Sequence, residues 1–181
     1  MTRKGVWNLQ QVRDKYLQEL WEYNINLFSW GNNDAGQLGI NDKTNRSSPT
    51  QIPGGNWQIS GAGNNESRNI AIMDSVYGIK SDGTLWAWGE NTFGALGQNS
   101  PGPSNRSSPI QIGSDTTWSS VGGGYRHGTA VKTDGTLWSW GNGNMGQLAN
   151  GSDGNPNRRS SPTQVGTATD WSYLGQNGAS S

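Results

Sequence analysis

Apolar positions are sparse along this chain and fall in short alternating runs. In "TLWAWG" (residues 84–89) Trp86 and Trp88 share one side of an extended chain while Leu85 and Ala87 share the other, because successive side chains on a strand point to opposite faces. "TLWSWG" (residues 136–141) repeats the pattern with Trp138 and Trp140 against Leu137 and Ser139, and Phe28 and Trp30 do likewise in "LFSWG". A Gly-rich polar stretch follows each run: "GNNDAGQLG", "GENTFGALG" and "GNGNMGQLA". Two of the runs are preceded by Asp-Gly, at Asp82-Gly83 and Asp134-Gly135. Since Gly supplies the positive φ that tight hairpin turns require, "AVKTDGTLW" predicts two antiparallel strands joined at Asp134-Gly135.

These landmarks recur in a fixed order: Trp-Gly, the Gly-rich stretch, "RSSP", a lone Trp, then Asp-Gly-Thr. Trp30, Trp88 and Trp140 lie about 52 to 58 positions apart; Arg46, Arg106 and Arg159 keep similar spacing, as do Trp57, Trp118 and Trp171. Periods of this size signal propeller blades, solenoids or arrays, so each unit is expected to be a small antiparallel sheet. The Gly tracts at residues 61–63 and 122–124 suit close approach of neighbouring units, and the prolines of "RSSP" are expected in connecting loops. Residues 1–25 do not follow the repeat. Asn8 and Gln11 fit a capping box, while Leu9, Val12, Tyr16, Leu20 and Tyr23 form one helical stripe and Leu17 and Trp21 another. They predict an amphipathic helix that caps the first unit or serves as a docking arm, ahead of repeats over residues 26–181.

Composition changes this picture in one respect. Only 30% of residues are hydrophobic, yet ten are Trp and 28 are Gly, so burial must lean on a few large aromatic rings. A formal net charge of zero argues against nucleic acid or an anionic membrane surface as partner. The chain has no cysteine, which removes disulfides, thiolate metal sites and a cysteine nucleophile. No run of 18 apolar residues occurs and the N-terminus lacks a signal-peptide core, so membrane insertion and export by the general route are not expected.

The segments "GNNDAGQLG" (residues 31–39), "GENTFGALG" (residues 89–97) and "GYRHGTAVKTDGTLWSWG" (residues 124–141) resemble the regulator of chromosome condensation repeat family. That resemblance implies a β-propeller, usually of seven four-stranded blades. The first unit departs from the pattern, with extra residues between Trp57 and Trp86 and with Arg68 or Asn69 near the place of the family's His; the third breaks off at "WSYLGQNGASS". Closed propellers need at least about four blades. The expected fold is therefore all-β: a partial β-propeller or open array of about three blades of short antiparallel strands, preceded by an N-terminal α-helix, the chain being a fragment, an open array, or a piece that completes a ring or stack with other chains. The opening "KGVWNLQQV" resembles the start of structural proteins of marine tailed phages. It implies a virion accessory protein, a tail fibre or capsid decoration, with other virion structural proteins, further copies of itself and a host-surface glycan or receptor as partners.

Candidate chemistry is thin. His127 is the only histidine and has no nucleophile motif beside it. The Gly-rich stretches lack the Lys-Ser/Thr ending of a phosphate loop. "NGSDGNPN" (residues 150–157) offers oxygen atoms but not the ordered acids of a calcium loop. Asp82 and Asp134 recur beside Gly, where turn chemistry accounts for them. No catalytic, cofactor-binding or metal-binding residue is assigned, and a non-enzymatic interaction module is expected. The candidate partner-binding residues are Trp7, Leu9, Val12, Tyr16, Leu20 and Trp21 in the arm and the repeated Arg46, Arg106 and Arg159. The leading expectation is docking in a virion; the alternatives are part of a soluble, cytoplasmic regulatory propeller (a guanine-nucleotide exchange factor or protein inhibitor) and a glycan-binding lectin.

Overall fold

The computed structural model describes residues 26–58, 70–100, 104–124, 126–154, 157–172 and 174. Within them the alternating runs form three antiparallel sheets in chain order. The first holds β1 (Phe28–Gly31) and β2 (Arg46–Gln51). The second holds β3 (Ile70–Ile72), β4 (Ser75–Ile79), β5 (Leu85–Gly89) and β6 (Arg106–Gln111). The third holds β7 (Trp118–Gly124), β8 (His127–Lys132), β9 (Leu137–Asn142) and β10 (Arg158–Gln164). Both four-stranded sheets run as simple meanders. The predicted hairpin is present: Gly135 N donates to Lys132 O (2.9 Å) and Lys132 N to Thr136 O (3.0 Å), as Gly83 and Lys80 do in the second sheet. The described residues contain no α-helix, only a 3-10 turn at Thr92–Gly94. The helix expected over residues 1–25, with Trp7, Leu9, Val12, Tyr16, Leu20 and Trp21, lies outside the described residues and receives no support.

The core lies between sheets, as the two-faced strands require. Trp88 packs with Ile52, Trp57 and Val76, between the first and second sheets. Leu85 and Ala87, on the opposite face of β5, join Val121, Ala130 and Trp140 between the second and third. Large aromatic rings fill much of this space, with Trp57 edge-on to Trp88 at 5.5 Å and Tyr77 edge-on to Trp140 at 5.5 Å, a geometry the ring quadrupoles favour. The Gly tract of β7 allows a close approach of the two complete sheets. A Cβ on Gly123 would lie 2.9 Å from the Tyr77 ring.

Two expectations are corrected. The "RSSP" segments are not connecting loops but the outer strands β2, β6 and β10. The register shows why proline is tolerated there. Gly31, Gly89 and Gly141 pair with Arg46, Arg106 and Arg159, and the next pairs are Ser29 with Thr50, Ala87 with Ile110 and Ser139 with Thr163. Each Ser-Ser-Pro thus bulges opposite a single tryptophan on a strand that ends its sheet, where a missing N–H leaves no ladder bond broken. The second correction concerns the first unit's missing histidine. Register equates His127, opposite Gly141, with Ser75, opposite Gly89, not with Arg68 or Asn69. The reason is that the inner strand of the second sheet starts at Trp57, bridged to Lys80 as Trp118 is to Lys132, and resumes only at Ile70. Residues 59–69 between them lie outside the described set.

Candidate interaction surface

The feature that repeats most faithfully is a staple between successive sheets. One side of it is the Gly-rich loop that follows Trp-Gly in the first and second units. Asn33 is fully buried inside the first loop: its Oδ1 accepts from Leu38 N (2.9 Å) and its Nδ2 donates to Asp42 O (2.8 Å). Asn91 does the same in the second loop, with Leu96 N at 3.0 Å and Ser100 O at 3.4 Å. Shaped this way, the first loop reaches the second sheet and the second reaches the third. Trp88 Nε1 donates to Gln37 O (3.0 Å) and Trp140 Nε1 to Ala95 O (2.8 Å). Asn41 N donates to Ser107 O (2.7 Å) and Asn99 N to Ser160 O (2.6 Å). Gly36 and Gly94, both at positive φ, sit so close to the bulge that a Cβ would lie 2.7 Å from the Cα of Ser107 or Ser160. The "RSSP" bulge therefore exists to receive the preceding loop.

A second repeated network lies at the hairpin tips. Asp134 Oδ1 accepts from Thr136 N (3.0 Å) and Thr136 Oγ1 (2.7 Å), and Trp138 Nε1 donates to Thr136 Oγ1 (2.9 Å). The Thr136 hydroxyl and amide hold the Asp134 carboxyl below its ordinary range. Asp82, Thr84 and Trp86 repeat the chain; there burial pushes the Asp82 carboxyl up, but its Thr84 bonds and Lys80 together hold it low. Lys132 Nζ lies 4.1 Å from the Trp138 ring, 4.8 Å from Trp118 and 2.5 Å from Asp115 Oδ2; Lys80 sits over Trp86 (3.9 Å) and Trp57 (5.3 Å) in the same manner. A cleft of about 420 Å³ between the second and third sheets includes Asp115, Trp118, Lys132 and Trp138 in its wall. Because the ammonium covers these indole faces, they are not open stacking platforms for a sugar.

The candidate residues separate accordingly. Arg46, Arg106 and Arg159 hold one register position on three successive outer strands, each opposite the Gly of Trp-Gly, as a repeated surface requires. Arg46 pairs with Asp42 Oδ2 at 2.5 Å, Arg159 Nη1 donates to Arg158 O (3.1 Å), and the Arg106 side is exposed. The ring of His127 packs where a Cβ on Gly124 would fall. Asn150 Oδ1 accepts from Ser152 N and Asn157 Nδ2, both at 3.2 Å. The sequence reading missed the staple atoms: the carbonyls of Gln37 and Ala95, Asn41 and Asn99, and the bulged serines. The signal for them was the repeat of "RSSP" itself, which a solvated loop would not need.

The regulator of chromosome condensation (RCC1) repeat matches residues 26–66, 82–131 and 134–172, and a second form of it matches residues 118–147. The chain belongs to the RCC1 repeat family. The Protein RCC2 homolog of Danio rerio is 32% identical over 129 residues, which is 71% of this chain and 25% of that protein. The Ultraviolet-B receptor UVR8 of Arabidopsis thaliana is 32% identical over 68% of this chain and 27% of its own length. A bifunctional serine/threonine-protein kinase/NEDD4-like E3 ubiquitin-protein ligase of Dictyostelium discoideum is also 32% identical, over 64% of this chain but 7% of its own length. The chain thus spans about a quarter or less of these relatives. Among solved structures, Prp20p of Saccharomyces cerevisiae superposes with a TM-score of 0.59 over 78% of this chain and 34% of that one, at 21% identity. The RCC1 sheets described above are therefore blades of a partial β-propeller. No helix among the described residues is long and apolar enough to cross a membrane.

Proposed function

We propose that the chain is a non-enzymatic protein-interaction segment of a regulatory RCC1 propeller, and that it presents the rim carrying Arg46, Arg106 and Arg159 to an acidic protein surface. The observation that carries this reading is the register equivalence of the three arginines across three blades. Arg46, already paired with Asp42, and the exposed Arg106 and Arg159 recur at one register position on successive outer strands, and arginine suits bidentate recognition of carboxylates. The recurrent Asp, Asn and Thr side chains support it from the other side, because they are spent on turns, loops and staples rather than pointing at a substrate. The ligase and kinase names among relatives do not transfer, since the matched portion is a small fraction of those proteins.

The virion expectation draws no support from these relatives, and Lys80 and Lys132 cover the indoles of Trp86 and Trp138 that a lectin would use at the hairpin tips. Prp20p is described as binding Gsp1p and histones. A cationic row favours a carboxylate-rich partner over basic histones. Biolayer interferometry with immobilised chain against Gsp1p and against histones tests this. Saturable Gsp1p binding that weakens with salt, and that falls at least about tenfold in an Arg106→Glu/Arg159→Glu variant, supports the proposal. Equal binding by that variant, stronger binding to histones, or no binding to either sinks it.

A further inference from the structure

Phe93 is strained where its counterparts in the other units are not. It stands at φ 64, ψ 15 in the 3-10 turn of the second Gly-rich loop, a left-handed conformation that a residue bearing a Cβ adopts only at a cost. Ala35 and Met145 hold the same place in the first and third loops, and neither is at positive φ. The repeat therefore does not require this conformation. Arg126, in the turn between β7 and β8, is at φ 63, whereas Asp74, its counterpart before β4, is not at positive φ. The two correspond because Asn142 N donates to Arg126 O as Glu90 N does to Asp74 O, both at 2.8 Å. These two strained residues meet: Arg126 Cζ lies 5.4 Å from the centre of the Phe93 ring.

A third group joins them. Arg158, at the start of β10 and next to Arg159, places its Cζ 4.2 Å from the centre of the same ring. The π face attracts a guanidinium, so one ring holds two cations that would otherwise repel. Their charge is not balanced. The Glu90 carboxylate, which accepts from the Thr92 hydroxyl, lies 3.6 Å from Arg126 Nε, and Arg158 has no carboxylate partner among the described residues. Arg158 is exposed and Phe93 half-buried. We infer, resting on the acidic-partner reading of the arginine rim, that Phe93, Arg158 and Arg126 form the anchor of that surface. The ring orients the Arg158 guanidinium to take an Asp or Glu carboxylate of the partner protein bidentately. An acidic protein is the occupant because the leftover charge is positive, the receiving group is a planar fork matched to carboxylate, and aromatic and arginine side chains concentrate binding energy at protein interfaces.

Titration of the full chain with an octaglutamate peptide, read from the arginine Nε–H signals in proton–nitrogen correlation spectra, tests this. The Arg158 signal should shift saturably with octaglutamate and stay fixed with octalysine, and Arg158→Gln should bind about tenfold more weakly. Phe93→Gly decides the matter, because it leaves every charge in place. Attraction between charges alone predicts unchanged affinity for that variant; loss of the stacked ring predicts a fall of at least about fivefold. Glycine adopts positive φ freely and Arg158 is exposed, so both variants should keep the wild-type circular dichroism. Phe93→Leu retains apolar bulk without the π face and should bind as weakly as Phe93→Gly. Arg106→Glu/Arg159→Glu, titrated with the same peptide, separates the anchor from the rim. Loss there while both Phe93 variants bind like wild type overturns the inference and leaves the rim reading standing; loss in the Phe93 variants alone upholds the anchor and sinks the rim. A wild type that does not bind octaglutamate, or an Arg158 signal that never moves, also overturns the inference.

Discussion

Ala95 O is the point at which two blades share one acceptor, and removing its donors singly and together measures how much the blades depend on each other. Tyr77 Oη from β4 donates to it at 2.7 Å and Trp140 Nε1 from β9 at 2.8 Å, while Ala95 itself is fully buried. Burial raises the Tyr77 phenol pKa, so the hydroxyl remains a donor at any ordinary pH. Tyr77→Phe deletes one bond and leaves the carbonyl one donor, a loss of about 1 kcal/mol. Trp140→Phe deletes the other bond and also shrinks a buried ring, for about 2 kcal/mol. If the effects were independent, the double variant would lose about 3 kcal/mol. It instead strips a buried carbonyl of both side-chain donors, which adds a desolvation cost of about 1–2 kcal/mol and makes the total about 4–5 kcal/mol. Urea unfolding of the four proteins, followed by far-ultraviolet circular dichroism with a common m value, gives the coupling directly. A double variant that equals the sum of the singles to within about 0.3 kcal/mol refutes the shared-acceptor account.

Backbone position decides the next pair of effects. Gly83→Ala and Gly113→Ala both place a side chain at positive φ (+77 and +62), but only at Gly83 would the Cβ also fall 2.0 Å from a carbonyl, that of Thr116; thermal melts should show about 1 kcal/mol lost at Gly113 and at least about 2 kcal/mol more at Gly83. The acid limb of stability should report the hairpin-tip carboxylates. Asp82 and Asp134 are held below their ordinary pKa in the folded chain, so their contribution is complete above about pH 4–5 and is lost as pH falls through the folded-state values; Asp134→Asn should make the urea midpoint fall less between pH 5 and pH 3, and an unchanged slope would contradict the assignment.

Much of the fold was legible because it rests on local signals. Alternation around Trp86, Trp88, Trp138 and Trp140 set the strands and their two faces, and Asp-Gly set the hairpins. What failed to show were contacts whose partner lies a blade away. Nothing adjacent to Arg106-Ser107-Ser108-Pro109 in sequence says that Gly36 and Asn41 will press on it, so proline chemistry alone pointed to a loop. Nothing in the sequence beside Asn33 and Asn91 says that the loop closes around them, yet both are buried. The third unit shows how far that loop design can vary. Gly143 stands where Asn33 and Asn91 do, and a Cβ there would lie 2.7 Å from Leu148 Cδ1; Asn157 turns inward in its stead, donating to Ser152 O at 2.7 Å. The arginine row was visible as a repeat, and its common register opposite Gly31, Gly89 and Gly141 needed the sheets.

The central claim is that the first and second Gly-rich loops are stapled to the bulged outer strand of the next blade, and native-state hydrogen exchange of the Asn41 and Asn99 amides tests it most directly. Both residues lie outside any strand, yet their N–H groups are bonded to Ser107 O and Ser160 O. The account predicts protection close to that of the core amides of β5 and β9, opening only when blades separate. Exchange of either amide at the rate of an open loop would contradict it.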